Sequence, residues 1–193
     1  MISCFLDGFH RPVKNLPEDP VIFDLGVNVG YTLVDFKHLF PNSKIVGVEM
    51  DKQNAELANK NISGLDGIEI HHAAIFHKDD VIYYDSDDEP DAFHAQSETS
   101  GKPSLVRVDA ITLDTLMTKS NLTHIDYMKM DIEGAEQEIF SKGNLEWLER
   151  VDQISIEIHS GVDREMIETA LKESGMNVEN HPTHWSSIIG WRI

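Results

Sequence analysis

Two groups of residues in this chain have the types and spacing to do chemistry. The first is a turn, Gly26-Val27-Asn28-Val29-Gly30, preceded by the apolar run "VIFDL" and followed by residues at helical spacing. Asp24 enters that turn, and Glu49 ends the next apolar run about 20 residues further on, where a carboxylate commonly accepts hydrogen bonds from ribose hydroxyls. The second group comes from "YMKMDIEGAE" and "ISIEIH", which supply Asp131, Glu133, Glu157 and His159.

The spacing G-x-N-x-G differs from a dinucleotide fingerprint, whose middle glycine lets the backbone approach a pyrophosphate. Asn28 fills that berth. Asparagine still tolerates a left-handed backbone, so the turn survives while the phosphate site is lost. A ribose-bearing ligand without a diphosphate is therefore favoured, and S-adenosylmethionine fits, because its sulfonium and ammonium groups suit carboxylates such as Asp24. Two alternatives stand beside this reading. One is a nicotinamide-dependent oxidoreductase, against which Asn28 and the lack of a Tyr-x-x-x-Lys pair both argue. The other is a non-catalytic interaction module, in which the glycines only make a turn and Glu49 is a solvated strand end.

Methyl transfer from a sulfonium mainly needs in-line alignment, and an acceptor that is a hydroxyl would also need its proton removed by a carboxylate or imidazole within reach. Asp131, Glu133 and His159 are the candidate catalytic residues. Glu157 and His159 are two apart on an expected strand and leave the same face, with Ile156 and Ile158 on the other. The blander readings are that Asp131 and Glu133 stabilise the positive end of the following helix and that His159 satisfies a backbone group. Asp131, Glu133, Glu157 and His159 together have the chemistry to hold a divalent ion, but no compact ligand motif supports one, and no metal is assigned. His71 and His72 point to opposite faces of a strand. "DSDDEPD" lacks calcium-loop spacing and reads as a solvated acidic loop, and Trp185 and Trp191 are expected to pack the last strands, with Trp185 also a candidate wall of an acceptor pocket.

The elements that must position these residues alternate along the chain. "PVIFDLG", "KIVGVEM" and "IEIHHAAI" read as buried strands. "YTLVDFKHLF" reads as a helix with Leu33, Phe36, Leu39 and Phe40 inward, and "DKQNAELANKNI" as one capped by Asp51 with Leu57 and Ala58 inward. "VIYYD" and "SLVRVDAITL" are further strands, flanking a polar insert at 85–103 that is a candidate lid or substrate wall. Then come the helix "LDTLMTK", the strand "HIDYMKM", the helix "EGAEQEIFSKG" with Gly134 at its opening, the strand "DQISIEIH" and the helix "DREMIETALKES". "MNVEN" and "SSIIGWRI" make a final antiparallel pair. Repeated strand–helix units imply an α/β fold with an open, mainly parallel sheet and helices on both faces, in one domain over 1–193.

Composition narrows the partners. With 34 acidic and 16 basic residues, a formal charge of -18, the surface repels phosphate polymers, so nucleic acid is not expected. The single cysteine, Cys4, cannot form an internal disulfide, and "MISCFLDGFH" lacks the pattern of a secretory signal, which together favour a cytoplasmic location. No apolar run reaches the length of a membrane span. A small molecule rather than a polymer is the expected partner, and oligomeric state is open.

From about residue 20 to 160 the sequence resembles the FkbM family of class I S-adenosylmethionine methyltransferases. The similar segments are "VIFDLGVNVGYT", "KIVGVEMDKQNAELANKNI", "HAAIF", "ITLDTL", "IDYMKMDIEGAEQEIFSKG" and "ISIEIH", of which the D-I-E-G-A-E segment is the most specific. The resemblance implies a Rossmann-like, seven-stranded sheet with an antiparallel last strand, and methyl transfer to a hydroxyl of a sugar or natural-product intermediate. It assigns Asp24, Gly26, Asn28, Gly30 and Tyr31 to the cofactor loop, Glu49 to the ribose, and Ala73 and Ala74 to the strand passing the adenine. Met50 stands where the family often has proline and would lie against the adenine face. The leader before the first strand is short, which leaves the insert to cap the substrate.

Overall fold

The computed structural model describes residues 8–85 and 104–192. The insert at 85–103, read as a lid, lies outside the described residues except for Asp85, which ends a strand. Seven strands form one sheet: β1 (Val21–Leu25), β2 (Lys44–Glu49), β3 (Ile68–His72), β7 (Ile125–Met130), β8 (Val151–Glu157), β9 (Asn177–Asn180) and β10 (Ser187–Trp191), in the order β3-β2-β1-β7-β8-β10-β9. All neighbours are parallel except β10, which runs antiparallel to both β8 and β9. The expected antiparallel final pair is therefore present. The chain leaves β1 toward β2 and β3, then returns to β7 on the other side, so the strand order reverses between β1 and β7.

Both faces are covered. Helices α1 (Tyr31–Leu39) and α2 (Lys52–Asn61) pack Leu33, Phe36 and Ala58 onto Ile22, Ile45 and Tyr127. Helices α3 (Leu113–Lys119), α4 (Glu136–Lys142) and α5 (Arg164–Glu173) pack Leu116, Ile139, Ile167 and Leu171 onto Phe23, Val46, Met128 and Ile154. Asp51, Thr112 and Asp163 cap α2, α3 and α5 through their side-chain oxygens.

Five expectations are corrected. Leu39 (40% exposed) and Leu57 (43% exposed) are not inward. At 100° per residue, Leu39 lies well off the Leu33–Phe36 stripe and Leu57 well off the Ala55–Ala58–Ile62 stripe. The third strand does not run through: it breaks at Ala73, and β4 (Ala74–Ile75) joins β5 (Asp80–Asp85) and β6 (Leu105–Ile111) in a separate three-stranded sheet. The helix after Asp131 starts at Glu136, because Glu133 and Gly134 both have positive φ, 56° and 98°. Trp185 is 91% exposed and packs no strand, whereas Trp191 lies under Lys14 Nζ, 4.0 Å from its ring centroid. A 3₁₀ turn, Glu146–Arg150, with Trp147 and Leu148 buried, had no signal in the periodicity because one turn is too short to show it.

The leader before β1 is tied to the helical layer. Arg11 donates to both oxygens of Asp35 on α1 at 2.7 and 3.0 Å, His10 Nε2 lies 2.8 Å from Asp35 Oδ2, and Tyr127 donates to the His10 carbonyl at 2.7 Å. Burial alone would raise the Asp35 carboxyl, but Arg11 and His10 hold it below its ordinary value. Asp35→Asn should cost about 1.5–3 kcal/mol at pH 7, the range for hydrogen bonds to a charged group. A carboxylate depressed in the folded state stabilises above its unfolded pKa and loses that contribution as pH falls through the folded one. Urea melts should thus show the gap between wild type and variant closing below about pH 4.

Candidate active site

Strand periodicity and register bring the first group together. Asp24 shares a face with Ile22, Glu49 with Ile45 and Gly47, and Lys129 with Tyr127. Asp24 sits opposite Gly47 on one side and Lys129 on the other, at the carboxyl ends of β1, β2 and β7, beside the reversal of strand order. Asp24 is fully buried. Thr32 Oγ1 donates to its Oδ2, Lys129 Nζ lies 3.5 Å from its Oδ1, and Oδ1 has no hydrogen-bond partner. Burial pushes the Asp24 carboxyl up, against the pull of Lys129 and Thr32. Lys129 is also buried, 3.1 Å from Asp131 Oδ2 and 3.4 Å from the Gly26 carbonyl. Burial would lower its ammonium pKa, but Asp131 and Asp24 outweigh that and hold it protonated, above its ordinary range.

The turn itself needs its glycines. Gly26 has φ 84°, and a Cβ there would stand 1.8 Å from the Asp131 carbonyl oxygen. Gly30 caps α1 at φ 85°, with Ala58 3.0 Å from where its Cβ would be. Asn28 is left-handed at φ 51°, and its N–H donates to Glu49 Oε2 at 2.8 Å. The Asp51 N–H donates to Glu49 Oε1, also at 2.8 Å. The Glu49 carboxylate is thus aimed at the turn, with lone pairs to spare on both oxygens, and burial raises it against those two bonds. Tyr31 opens α1, partly buried. Met50 packs against the three-stranded sheet with Ala74, while Ala73 belongs to the main core. Tyr84 of β5 reaches Asp51 Oδ2 at 3.2 Å.

At the other end of the crevice His159, just past β8, gathers three acids. Its Nε2 lies 3.5 Å from Asp131 Oδ1 and 3.3 Å from Glu133 Oε2, and its Nδ1 lies 3.2 Å from Glu136 Oε1. Burial would lower the imidazole pKa, but Glu136, then Glu133 and Asp131, raise it to about 9. Glu157 does not join them. It accepts from Ser186 Oγ at 3.2 Å, with His184 Nε2 at 4.0 Å, because the pairing of Ser187 with Glu157 draws the β9–β10 connection alongside. Such an arrangement can bind a cationic nucleoside over Asp24 and Glu49 and hold a hydroxyl beside Asp131.

Three participants escaped the sequence reading. Lys129 was visible only as a lone charge in an apolar strand, Thr32 as a hydroxyl one turn past Asp24, and Glu136 as the last letter of the D-I-E-G-A-E segment. Each is defined by what it touches. His71 and His72 also separate as expected, His71 toward Glu69 at 2.8 Å and His72 toward the Met50 carbonyl at 3.1 Å.

A family model described as the methyltransferase FkbM domain matches residues 24–181. The 2-O-methyltransferase NoeI of Sinorhizobium fredii is 27% identical over 153 residues, 69% of this chain and 62% of that protein, so the chain spans less than two thirds of that relative's length. Methyltransferase 1 of Beauveria bassiana is 23% identical over 206 residues, covering 95% of this chain and 82% of its own. Among solved structures, the precorrin-6y C5,15-methyltransferase of Geobacter metallireducens superposes with a TM-score of 0.50 at 13% identity, over 99% of this chain and 87% of that one.

Proposed function

Because the chain belongs to the FkbM methyltransferase family and has the class I methyltransferase fold, we propose that it transfers a methyl group from S-adenosylmethionine to a hydroxyl oxygen of a small polyhydroxylated acceptor, a sugar or a natural-product intermediate. The observation that carries this reading is the Glu49 carboxylate, locked onto the Asn28 and Asp51 N–H groups and directed at the G-x-N-x-G turn. The residues present fit the cofactor. Glu49 has free lone pairs for two ribose hydroxyls, Asp24 Oδ1 is a buried acceptor without a hydrogen-bond donor, and half-buried Met50 offers apolar surface for the adenine, whereas Ala73 and Ala74 are themselves buried in the cores beneath the two sheets. Bound there, S-adenosylmethionine supplies an electrophilic methyl on a good leaving group.

The chain's own part is to bind and align. Glu49 and the Gly26–Gly30 turn fix the nucleoside, and Asp24, held by Thr32 and Lys129, faces its cationic end. Asp131 takes the acceptor proton at Oδ1, with Glu133 and His159 orienting the hydroxyl. The name of the relative NoeI, a 2-O-methyltransferase, supports oxygen as the acceptor atom. The charge of -18 argues against nucleic acid as the acceptor, and no helix among the described residues is long and apolar enough to cross a membrane.

Calorimetry with S-adenosylhomocysteine tests the cofactor reading. Wild type should release heat at a single site, and Glu49→Gln should weaken binding by about 1.5–3 kcal/mol, about 10- to 150-fold. Absence of binding by wild type would favour an interaction module, and tighter binding of a nicotinamide dinucleotide would favour an oxidoreductase. Mass spectrometry of sugars and polyols incubated with protein and S-adenosylmethionine then reads acceptor class as the gain of one methyl.

A further inference from the structure

We infer that Asp131, Glu133 and His159 form a binding site for a hard divalent cation such as Mn²⁺ or Mg²⁺ at the acceptor end of the crevice. One ligand atom from each lies within 4.8 Å of the other two. The separations from His159 Nε2, 3.3 and 3.5 Å, exceed the about 2.7–2.9 Å of a charge-assisted hydrogen bond. They sit near the about 3.0–3.4 Å edge of a coordination shell with bonds of about 2.1–2.4 Å. Two carboxylates and one imidazole suit such ions better than soft ones.

A second observation comes from outside the three ligands. Glu136 is fully buried, its Oε1 meets the other ring nitrogen of His159 at 3.2 Å, and its Oε2 has no hydrogen-bond partner. A carboxylate accepting from Nδ1–H fixes the imidazole with its Nε2 edge turned toward Asp131 and Glu133, so that a cation displacing the Nε2 proton meets the arrangement that orients and strengthens histidine ligands. The other His/acid group among the described residues, His124 with Asp126 and Asp152, has no such backing: His124 and Asp152 are exposed, and Asp126 Oδ2 is engaged by the Val21 N–H. The ion's role rests on the methyl-transfer reading, since it would take the acceptor hydroxyl as a further ligand and orient it; its binding does not.

Titration of the purified chain with Mn²⁺, followed by the electron paramagnetic resonance signal of the free ion, tests the site. Wild type should bind one ion, His159→Gln and Asp131→Asn should each weaken binding at least tenfold, and His124→Gln should leave it unchanged. S-adenosylhomocysteine calorimetry on the same samples shows that the His159→Gln protein is folded, whether or not Asp131→Asn is, and reports on the cofactor reading separately. Mn²⁺ binding without S-adenosylhomocysteine binding in wild type would remove the methyl-transfer reading and leave the cation site standing. No Mn²⁺ binding by wild type, undiminished binding by folded His159→Gln, or loss on His124→Gln would overturn the site.

Discussion

Lys129→Met is expected to destabilise the fold by about 3–5 kcal/mol, the cost of removing one partner from a buried ion pair and leaving the other charge uncompensated. Methionine matches the lysine stem in length and keeps its apolar packing, so the loss isolates the ammonium. Asp24 is the group left behind: fully buried, with Lys129 as its only neighbouring cation at 3.5 Å among the ion pairs of the described residues. The pH dependence should identify it. Burial already raises the Asp24 carboxyl, and without Lys129 it rises further. A carboxylate whose folded pKa is raised makes no difference below its unfolded value, where both states are protonated. It destabilises increasingly as pH rises toward the folded value, and fully above it. Chemical denaturation should therefore find the variant's deficit larger at pH 8 than at pH 5. A deficit that does not change with pH would mean that Asp24 is not the group left unpaired.

Gly26→Ala should lose about 3–5 kcal/mol of stability and at least tenfold in S-adenosylhomocysteine affinity. Two costs combine. A left-handed φ of 84° costs a Cβ-bearing residue about 1–2 kcal/mol, and the new methyl would meet the Asp131 carbonyl oxygen at 1.8 Å, a backbone atom that can move only with the β7 end. Gly134→Ala is the matched control. Its φ is 98°, but a Cβ there has nothing within 4 Å, so only the conformational cost applies. Urea denaturation of both variants separates the clash from the strain. Equal losses would show that the Gly26 turn relaxes away from Asp131.

This approach of Gly26 to Asp131 explains why the two chemical groups, far apart in sequence, belong to one site. The β1 turn and the β7 end touch through backbone, so whatever binds over Asp24 lies next to the acids that follow β7.

Much of the architecture was legible in local patterns. Alternating apolar runs and helical stripes marked β1, β2, β7, β8 and five helices, and the left-handed backbone that asparagine tolerates is present at Asn28, with φ 51°. Errors fell where a local pattern is degenerate. Leu39 and Leu57 are apolar at helical spacing yet lie off the buried stripe, because the face a short helix presents is chosen by the sheet beneath it. "IEIHHAAI" reads as one strand, although the chain changes sheets at Ala73, and two alternating runs joined end to end carry no mark of that change.

The sequence by itself determined the alternation of most strands and helices, a strand-to-helix turn at 26–30 and the presence of Asp24, Glu49, Asp131 and His159 near element ends, because periodicity and backbone sterics act over a few neighbouring residues. Only the tertiary structure decided who faces whom: that Lys129 pairs with Asp24, that Glu136 backs His159, and that Glu157 turns to Ser186 instead. Those contacts depend on strand order and register between segments distant in the chain, and a side chain's charge specifies a partner's sign but not its address.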